Sequence, residues 1–205
     1  MKLLNIMNIA RQGLMLILSS PSGAGKTTLA RKLLDSDPMI SLSVSVTTRH
    51  KRIGEVEGKD YFFVSQSEYD DMLKNNMLLE GANVFGNYYG SPKKQAFDIL
   101  NNGHDVLYDV NWEGAVSLMK NARQNTASIF ILPPSMEVLE QRIRGRAQDS
   151  EAEIKKRLKE AEFEISKHHL YDYVMVNNVI DNSLAQIKSI LLAERSRVSR
   201  CNVDL

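Results

Sequence analysis

Short apolar runs at residues 14–18, 42–46, 106–108, 128–132 and 173–176 are rich in branched side chains, and they alternate with stretches whose apolar positions recur at helical spacing. Runs that are apolar on both faces suit strands covered on both sides. The rhythm therefore predicts an α/β fold, a parallel five-stranded core sheet flanked by helices. Ser91-Pro92 ahead of residues 93–101, Ser135 after Pro133-Pro134, and residues 181–183 ahead of the last helical stretch mark helix starts. Two regions break the alternation. Residues 47–89 hold a Gly-punctuated loop (Gly54, Gly58), an aromatic strand Tyr61-Phe62-Phe63-Val64, a short helix from Ser67 and a second strand near 78–84, which predicts a small inserted mixed α/β subdomain. Residues 142–157 carry Arg142-Ile143-Arg144-Gly145-Arg146, then Asp149, Ser150 and a Glu/Lys-rich helix; the stretch reads either as a lid or as a solvated helix pair.

With 205 residues the chain is long enough for one continuous core with inserted subdomains. Lys and Arg number 26 against 25 Asp and Glu, a formal net charge of +1, so no broad field attracts nucleic acid or an anionic membrane and any bound anion must be met locally. Cys201 is the single cysteine, which excludes an internal disulfide framework and fits a reducing, cytoplasmic setting. No run reaches membrane-spanning length, residues 3–10 are interrupted by Asn5 and Asn8, and residues 1–12 read as a frayed arm rather than a signal peptide. His50, His104, His168 and His169 lack metal-ligand spacing and read as exposed or capping residues. Trp112 reads by default as core filling.

The chemistry begins at Ser19-Ser20-Pro21-Ser22-Gly23-Ala24-Gly25-Lys26-Thr27-Thr28, between the first apolar run and the helical pattern of Leu29, Leu33 and Leu34. Glycines let consecutive backbone N–H groups curl toward a polyphosphate, the helix that follows offers its N-terminus, Lys26 reaches the outer phosphates and Thr27 is placed to ligate Mg²⁺. The full phosphate-loop pattern has Gly where this chain has Ser20, a small residue that meets the same need.

A second set of anion-binding groups follows. Thr47-Thr48-Arg49, Arg52, Gly54-Glu55, Gly58-Lys59-Asp60-Tyr61, then Glu80 and Asn87-Tyr88-Tyr89-Gly90-Ser91 concentrate arginine forks and tyrosine hydroxyls suited to a nucleoside monophosphate. Together these motifs, in this order over residues 14 to about 195, resemble the guanylate kinases, which transfer a phosphoryl group from ATP to GMP.

The resemblance implies a core of residues 14–46, 91–141 and 158–205, a GMP-binding insertion at 47–90, a lid at 142–157 and an arm at 1–13. It implies ATP binding by Ser20, Pro21, Ser22, Gly23, Ala24, Gly25, Lys26, Thr27 and Thr28, with Asn177 near the adenine and Mg²⁺ on Thr27. Arg49, Arg52, Tyr61 and Tyr89 match groups that grip the GMP phosphate, Ser45, Glu80 and Ser91 match base-reading positions, and Glu55 and Asp109 fall in the same GMP set. Lys26, Arg49, Arg142, Arg146 and Arg157 match the catalytic cations. The partners implied are ATP and GMP, with neither nucleic acid nor membrane and with homo-oligomer formation open. The chemistry of guanine agrees: N1–H and the 2-amino group are adjacent donors, which one carboxylate at Glu80 accepts together, whereas adenine offers an acceptor at N1. Taken alone, Glu80 in Leu78-Leu79-Glu80-Gly81 reads first as a surface cap or ion-pair partner.

The chain departs from the family pattern at Asn111, where a second acid is usual, at Ala147 in place of glycine and at Asn178 in place of an acid. Two other readings remain: an interaction module of guanylate-kinase type, and a kinase of another phosphorylated metabolite on the same fold. The intact Lys26 and Thr27 speak against the first, and Ser45 with Glu80 against the second.

Overall fold

The strand at residues 15–19 sends alternate side chains to opposite faces, and both faces are covered. Leu14, Leu16 and Leu18 pack with Leu29, Leu33, Ile187 and Leu191 on one side. Met15 and Ile17 pack with Leu100, Ala115 and Leu118 on the other. In the computed structural model, which describes residues 8–84, 86–145 and 150–204, this strand is the centre of the molecule. The elements run β1 (Asn8–Arg11), β2 (Met15–Ser19), α1 (Lys26–Ser36), β3 (Ile40–Leu42), β4 (Val46–Thr47), β5 (Phe62–Phe63), α2 (Gln66–Lys74), β6 (Leu78–Val84), β7 (Asn87–Pro92), α3 (Lys93–Asn101), β8 (Asp105–Asp109), α4 (Trp112–Ala122), β9 (Thr126–Leu132), α5 (Met136–Arg144), α6 (Glu151–Ile165), β10 (Tyr173–Val176), α7 (Ile180–Arg195) and β11 (Cys201–Asp204).

The core sheet has the order β10-β9-β2-β8-β3 with every pairing parallel. The α/β fold with a five-stranded parallel sheet is as expected from the apolar rhythm. Because the strands are parallel, all their carboxyl ends open on one edge, where ligands bind in sheets of this kind. A four-stranded sheet, β5-β4-β7-β6, is built from residues 46–92 and carries α2 on its Val46, Tyr69 and Leu78 cluster.

Two expectations need correction. The apolar run at 42–46 is two strands: β3 ends at half-exposed Leu42 on the core sheet, and β4 begins at buried Val46 in the inserted sheet, so the chain changes sheets between them. The segment expected to fray is structured from residue 8 onward, since β1 pairs antiparallel with β11. Arg11 then reaches Asp105 at 2.6 Å, and Arg195 reaches the same fully buried carboxylate at 2.6 Å.

The cap signals were partly right. Ser135 caps α5 through Val138 N–H at 3.2 Å. The short helix of the insertion is capped by Ser65, not begun at Ser67, with Glu68 closing a capping box. Ser91 caps nothing, because α3 starts on Pro92 without a side-chain cap and the Ser91 hydroxyl is used elsewhere. The last helix starts at Ile180 without a side-chain cap.

Candidate active site

At the carboxyl edge of β2 the chain turns through Gly23 and Gly25, whose φ values of 94° and 98° lie in the left-handed region, and enters α1 at Lys26. The turn encloses a cavity of about 310 Å³ lined by residues 20–23 and 25–28, with Asn111 and Glu164 on its far wall. Ala24 does not line it. Its side chain is buried and its carbonyl accepts from Asn177 Nδ2 at 2.7 Å and from Arg142 Nη1 at 3.4 Å, so this residue anchors the loop. Asn177, just past β10, is itself buried and its Oδ1 has no hydrogen-bond partner. Arg142 also donates to the Asn177 carbonyl at 3.4 Å, tying the end of α5 to the phosphate loop.

Lys26 leaves the first turn of α1 and donates to the Val110 carbonyl at 3.0 Å while pairing with the Asp109 carboxylate. Asp109 closes β8 and lines a second cavity, of about 210 Å³, together with Ser45, Tyr61, Ser91 and Tyr108. One ion pair therefore joins the two hollows. Four of the residues expected around GMP come together in that second cavity.

Arg49 follows β4, and its Nη2 lies 2.6 Å from Glu55 Oε1, while the other Glu55 oxygen accepts from Arg52 N–H at 2.8 Å. The Arg49 hydrogen bond holds the Glu55 carboxyl below its ordinary range, and Glu55 in turn raises the Arg49 guanidinium. The guanidinium sits 5.4 Å from the Tyr61 ring centre, and Tyr61 meets Tyr89 edge-on at 5.9 Å. Glu55 thus orients Arg49 in the chain as it stands. Deeper in the insertion Ser91 Oγ donates to Glu80 Oε1 at 2.7 Å. Burial pushes the Glu80 carboxyl above its ordinary value, and the Ser91 bond only partly offsets this. Glu80 faces a neighbouring hollow with Tyr69, Tyr88 and Asn121 and connects to the 210 Å³ cavity through Ser91.

Some expected residues lie elsewhere. Arg146 falls outside the described residues, as do Ala147 and Asp149. Arg157 is half-buried on α6. Asn111, the neutral replacement for an acid, is the N-cap of α4: its Oδ1 accepts from Gly114 N–H at 2.9 Å. Trp112 is half-buried, not a core residue, meeting Phe163 edge-on at 5.8 Å with the Lys167 ammonium 4.5 Å from the Phe163 ring. His168 and His169 place Nδ1 at 2.9 Å from the Ile165 and Ser166 carbonyls at the end of α6, a capping role. Glu164 was not anticipated. Burial raises its carboxyl and Lys26 partly offsets that, and its position seven residues after Arg157 puts both on one face of α6, the one signal available beforehand.

Comparison with known proteins follows the same lines. The guanylate kinase family model matches residues 12–194. A guanylate kinase of Paramagnetospirillum magneticum is 50% identical over 192 residues, covering 94% of this chain and 90% of that protein. One from Rickettsia felis is 49% identical over 191 residues, covering 93% of this chain and 99% of the relative. The crystal structure of a guanylate kinase from Anaplasma phagocytophilum superposes with a TM-score of 0.72 at 43% identity, covering 95% of this chain and 92% of the other. With a phosphate loop, a guanidinium-phenol cradle and a buried carboxylate assembled in the order its motifs require, the chain belongs to the guanylate kinase family.

Proposed function

We propose that this chain transfers the γ-phosphoryl group of ATP to GMP, and to dGMP, giving ADP with GDP or dGDP for guanine nucleotide synthesis and recycling in the cytoplasm. What carries the reading is the Lys26–Asp109 ion pair, because it bridges the cavity lined by the phosphate loop and the cavity lined by Ser45, Tyr61, Ser91 and Asp109. Among the described residues no helix is long and apolar enough to cross a membrane.

The roles follow from the chemistry. Backbone N–H groups of residues 22–27 and the start of α1 hold the ATP phosphates, and the side-chain Oδ1 of Asn177, buried and lacking a hydrogen-bond partner, serves the adenine end. The guanidinium groups of Arg49 and Arg52 and the hydroxyls of Tyr61 and Tyr89 hold the GMP phosphate. Glu55 keeps Arg49 in place. Glu80 and Ser91, with Ser45 and Asp109, read the base.

Thr27 is exposed at the mouth of the phosphate cavity, a hard oxygen donor beside the place of the outer phosphates, and among the described residues no cluster of three His, Cys, Asp or Glu competes for a metal. That donor set fits Mg²⁺, which is commonly held by one or two protein oxygens and the phosphates themselves. Bound there through Thr27, it would neutralise charge on the β- and γ-phosphates.

The acceptor is an anionic phosphate oxygen, so the site needs no general base. Its task is positioning and charge stabilisation. Lys26 leaves Asp109 for the transferring phosphoryl, and Arg142, Arg146 and Arg157 approach it as the lid at 142–157 closes and excludes water. The insertion at 47–90 carries the acceptor cradle, the core at 14–46, 91–141 and 158–205 carries the donor site.

The test is coupled ADP release from Mg·ATP with GMP, dGMP, AMP and sugar phosphates offered separately. Turnover with GMP and dGMP far above that with AMP or a sugar phosphate is the expected result. Turnover with none would leave an interaction module, and preference for a sugar phosphate would reassign the acceptor.

A further inference from the structure

The residue before Asp109 on β8 carries a polar group that none of the roles above uses. Tyr108 is 1% exposed, its ring packed among Ile17, Leu79, Ala96 and Leu118, and its hydroxyl oxygen is buried without a hydrogen-bond partner. Phenylalanine would fill the same space without the cost of desolvating a hydroxyl, so the hydroxyl calls for a use. Ser43 lies beside it without completing a hydrogen bond, and the Glu80 carboxylate acts on it through space. Burial keeps the phenol protonated, so it is available as a donor.

Its position suggests the acceptor. Tyr108 forms part of the wall of the 210 Å³ cavity shared with Ser43, Ser45, Ser91 and Asp109. Guanine presents two kinds of edge: N1–H and the 2-amino group donate, while O6 and N7 accept. Glu80 is suited only to the donating edge, and the Ser91 hydroxyl is already committed to Glu80. On the accepting edge O6 and N7 offer more than the Ser45 hydroxyl alone can fill, and Tyr108, on the same cavity, is a second donor that the core holds rigidly. We propose that the Tyr108 hydroxyl is a further base-reading group, donating to the O6/N7 edge of the bound guanine. This inference rests on GMP being the acceptor substrate. The hydroxyl is sealed from bulk water, so solvent competes little for it.

Tyr108→Phe tests it, because the ring volume is kept and only the hydroxyl leaves. GMP and IMP affinities are measured by calorimetry on the natural chain and the variant; the two ligands share O6 and N7 and differ in the 2-amino group. Both affinities should fall by the same factor, about three- to tenfold, with ATP affinity unmoved and the thermal midpoint not lowered. GMP affinity within twofold of the natural chain would overturn the assignment, and so would a loss for GMP that spares IMP, which would place the hydroxyl on the 2-amino side. GMP turnover by the natural chain is measured alongside. Its absence with GMP still bound would overturn the kinase reading and leave the affinity comparison valid; no GMP binding at all would overturn both.

Discussion

A carboxylate as buried as Glu80, with Ser91 as its one hydrogen-bond donor among the described residues, is a group held in readiness for further donors. Glu80→Gln replaces one acceptor oxygen by a donor facing the guanine N–H groups. The preference for GMP over AMP in ADP release should fall by about two orders of magnitude; an unchanged preference would remove Glu80 from base reading. The same burial gives a pH signature. Its carboxyl titrates above the ordinary 4.5, and once protonated it can no longer accept from both guanine donors. GMP affinity should thus fall with decreasing pH at a pH above 4.5, and Glu80→Gln should abolish that limb. The sign for folding is opposite: a raised acid in the folded state binds more protons than in the unfolded chain, so its contribution to stability declines as pH rises from 4.5 through the folded value. Arg49→Ala should raise the GMP KM by about ten- to a hundredfold, the loss of a charged hydrogen bond, and leave the ATP KM unchanged. A normal GMP KM would reassign the arginine. Arg49, Tyr61 and Tyr89 were legible because their residue types and spacing already spell anion binding. Glu80 was legible only through the resemblance, and the Tyr108 hydroxyl not at all, since an apolar strand gives no hint of which side chain ends beside a ligand cavity.

Elements determine whether such groups converge. The turn from β2 into α1 works because Gly25 adopts a φ of 98° and leaves room for Asn177: a Cβ there would stand 2.4 Å from Asn177 Nδ2. Gly25→Ala must therefore strain the backbone or break the Asn177–Ala24 bond, at a cost of about 1–3 kcal/mol. Thermal denaturation should register that loss, and the ATP KM should rise at least about tenfold if the loop geometry holds the triphosphate. A variant with normal stability and ATP KM would show that the loop tolerates a different path. Apolar patterning gave the sheet strands and the helix at 93–101 because period and burial agree there. It failed at 42–46, where one apolar run serves two sheets: Ile40 and Val46 are buried in different layers with exposed Leu42 between them. It also misread Ser91, whose place before a proline looks like a cap but whose hydroxyl is claimed by Glu80 across the β6–β7 hairpin. Tertiary partners, not local propensity, decided both.

The molecule divides its charged groups between two edges of one sheet. At the carboxyl edge Lys26 lines the phosphate-loop cavity and pairs with Asp109; at the amino edge Asp105 is fully buried and bonded to Arg11, Arg195 and Leu14 N–H, with Arg195 also 2.8 Å from Asp37. This network ties the β1–β11 ribbon and α7 to the sheet, far from the phosphate loop. Asp105→Ala leaves two partly buried arginines short of a counter-charge, Arg195 keeping only Asp37, and should cost about 3 kcal/mol of stability, while GMP turnover measured well below the melting transition stays near normal. A large loss of turnover in the folded variant would mean that the two edges are coupled. None of this was readable from sequence, because the pairs join residues about ninety positions apart and one member lies in a segment that reads as a loose arm. What the account requires of the whole is that the two cradles face one another across a single phosphoryl. The most direct measurement is the affinity of adenosine and guanosine joined 5′ to 5′ by five phosphates, four matching those of ATP and GMP, the transferred one included, and a fifth to span the gap between them. Facing cradles predict binding at least about a hundredfold tighter than ATP or GMP alone, competed away by either nucleotide. Binding no tighter than that of ATP would contradict it.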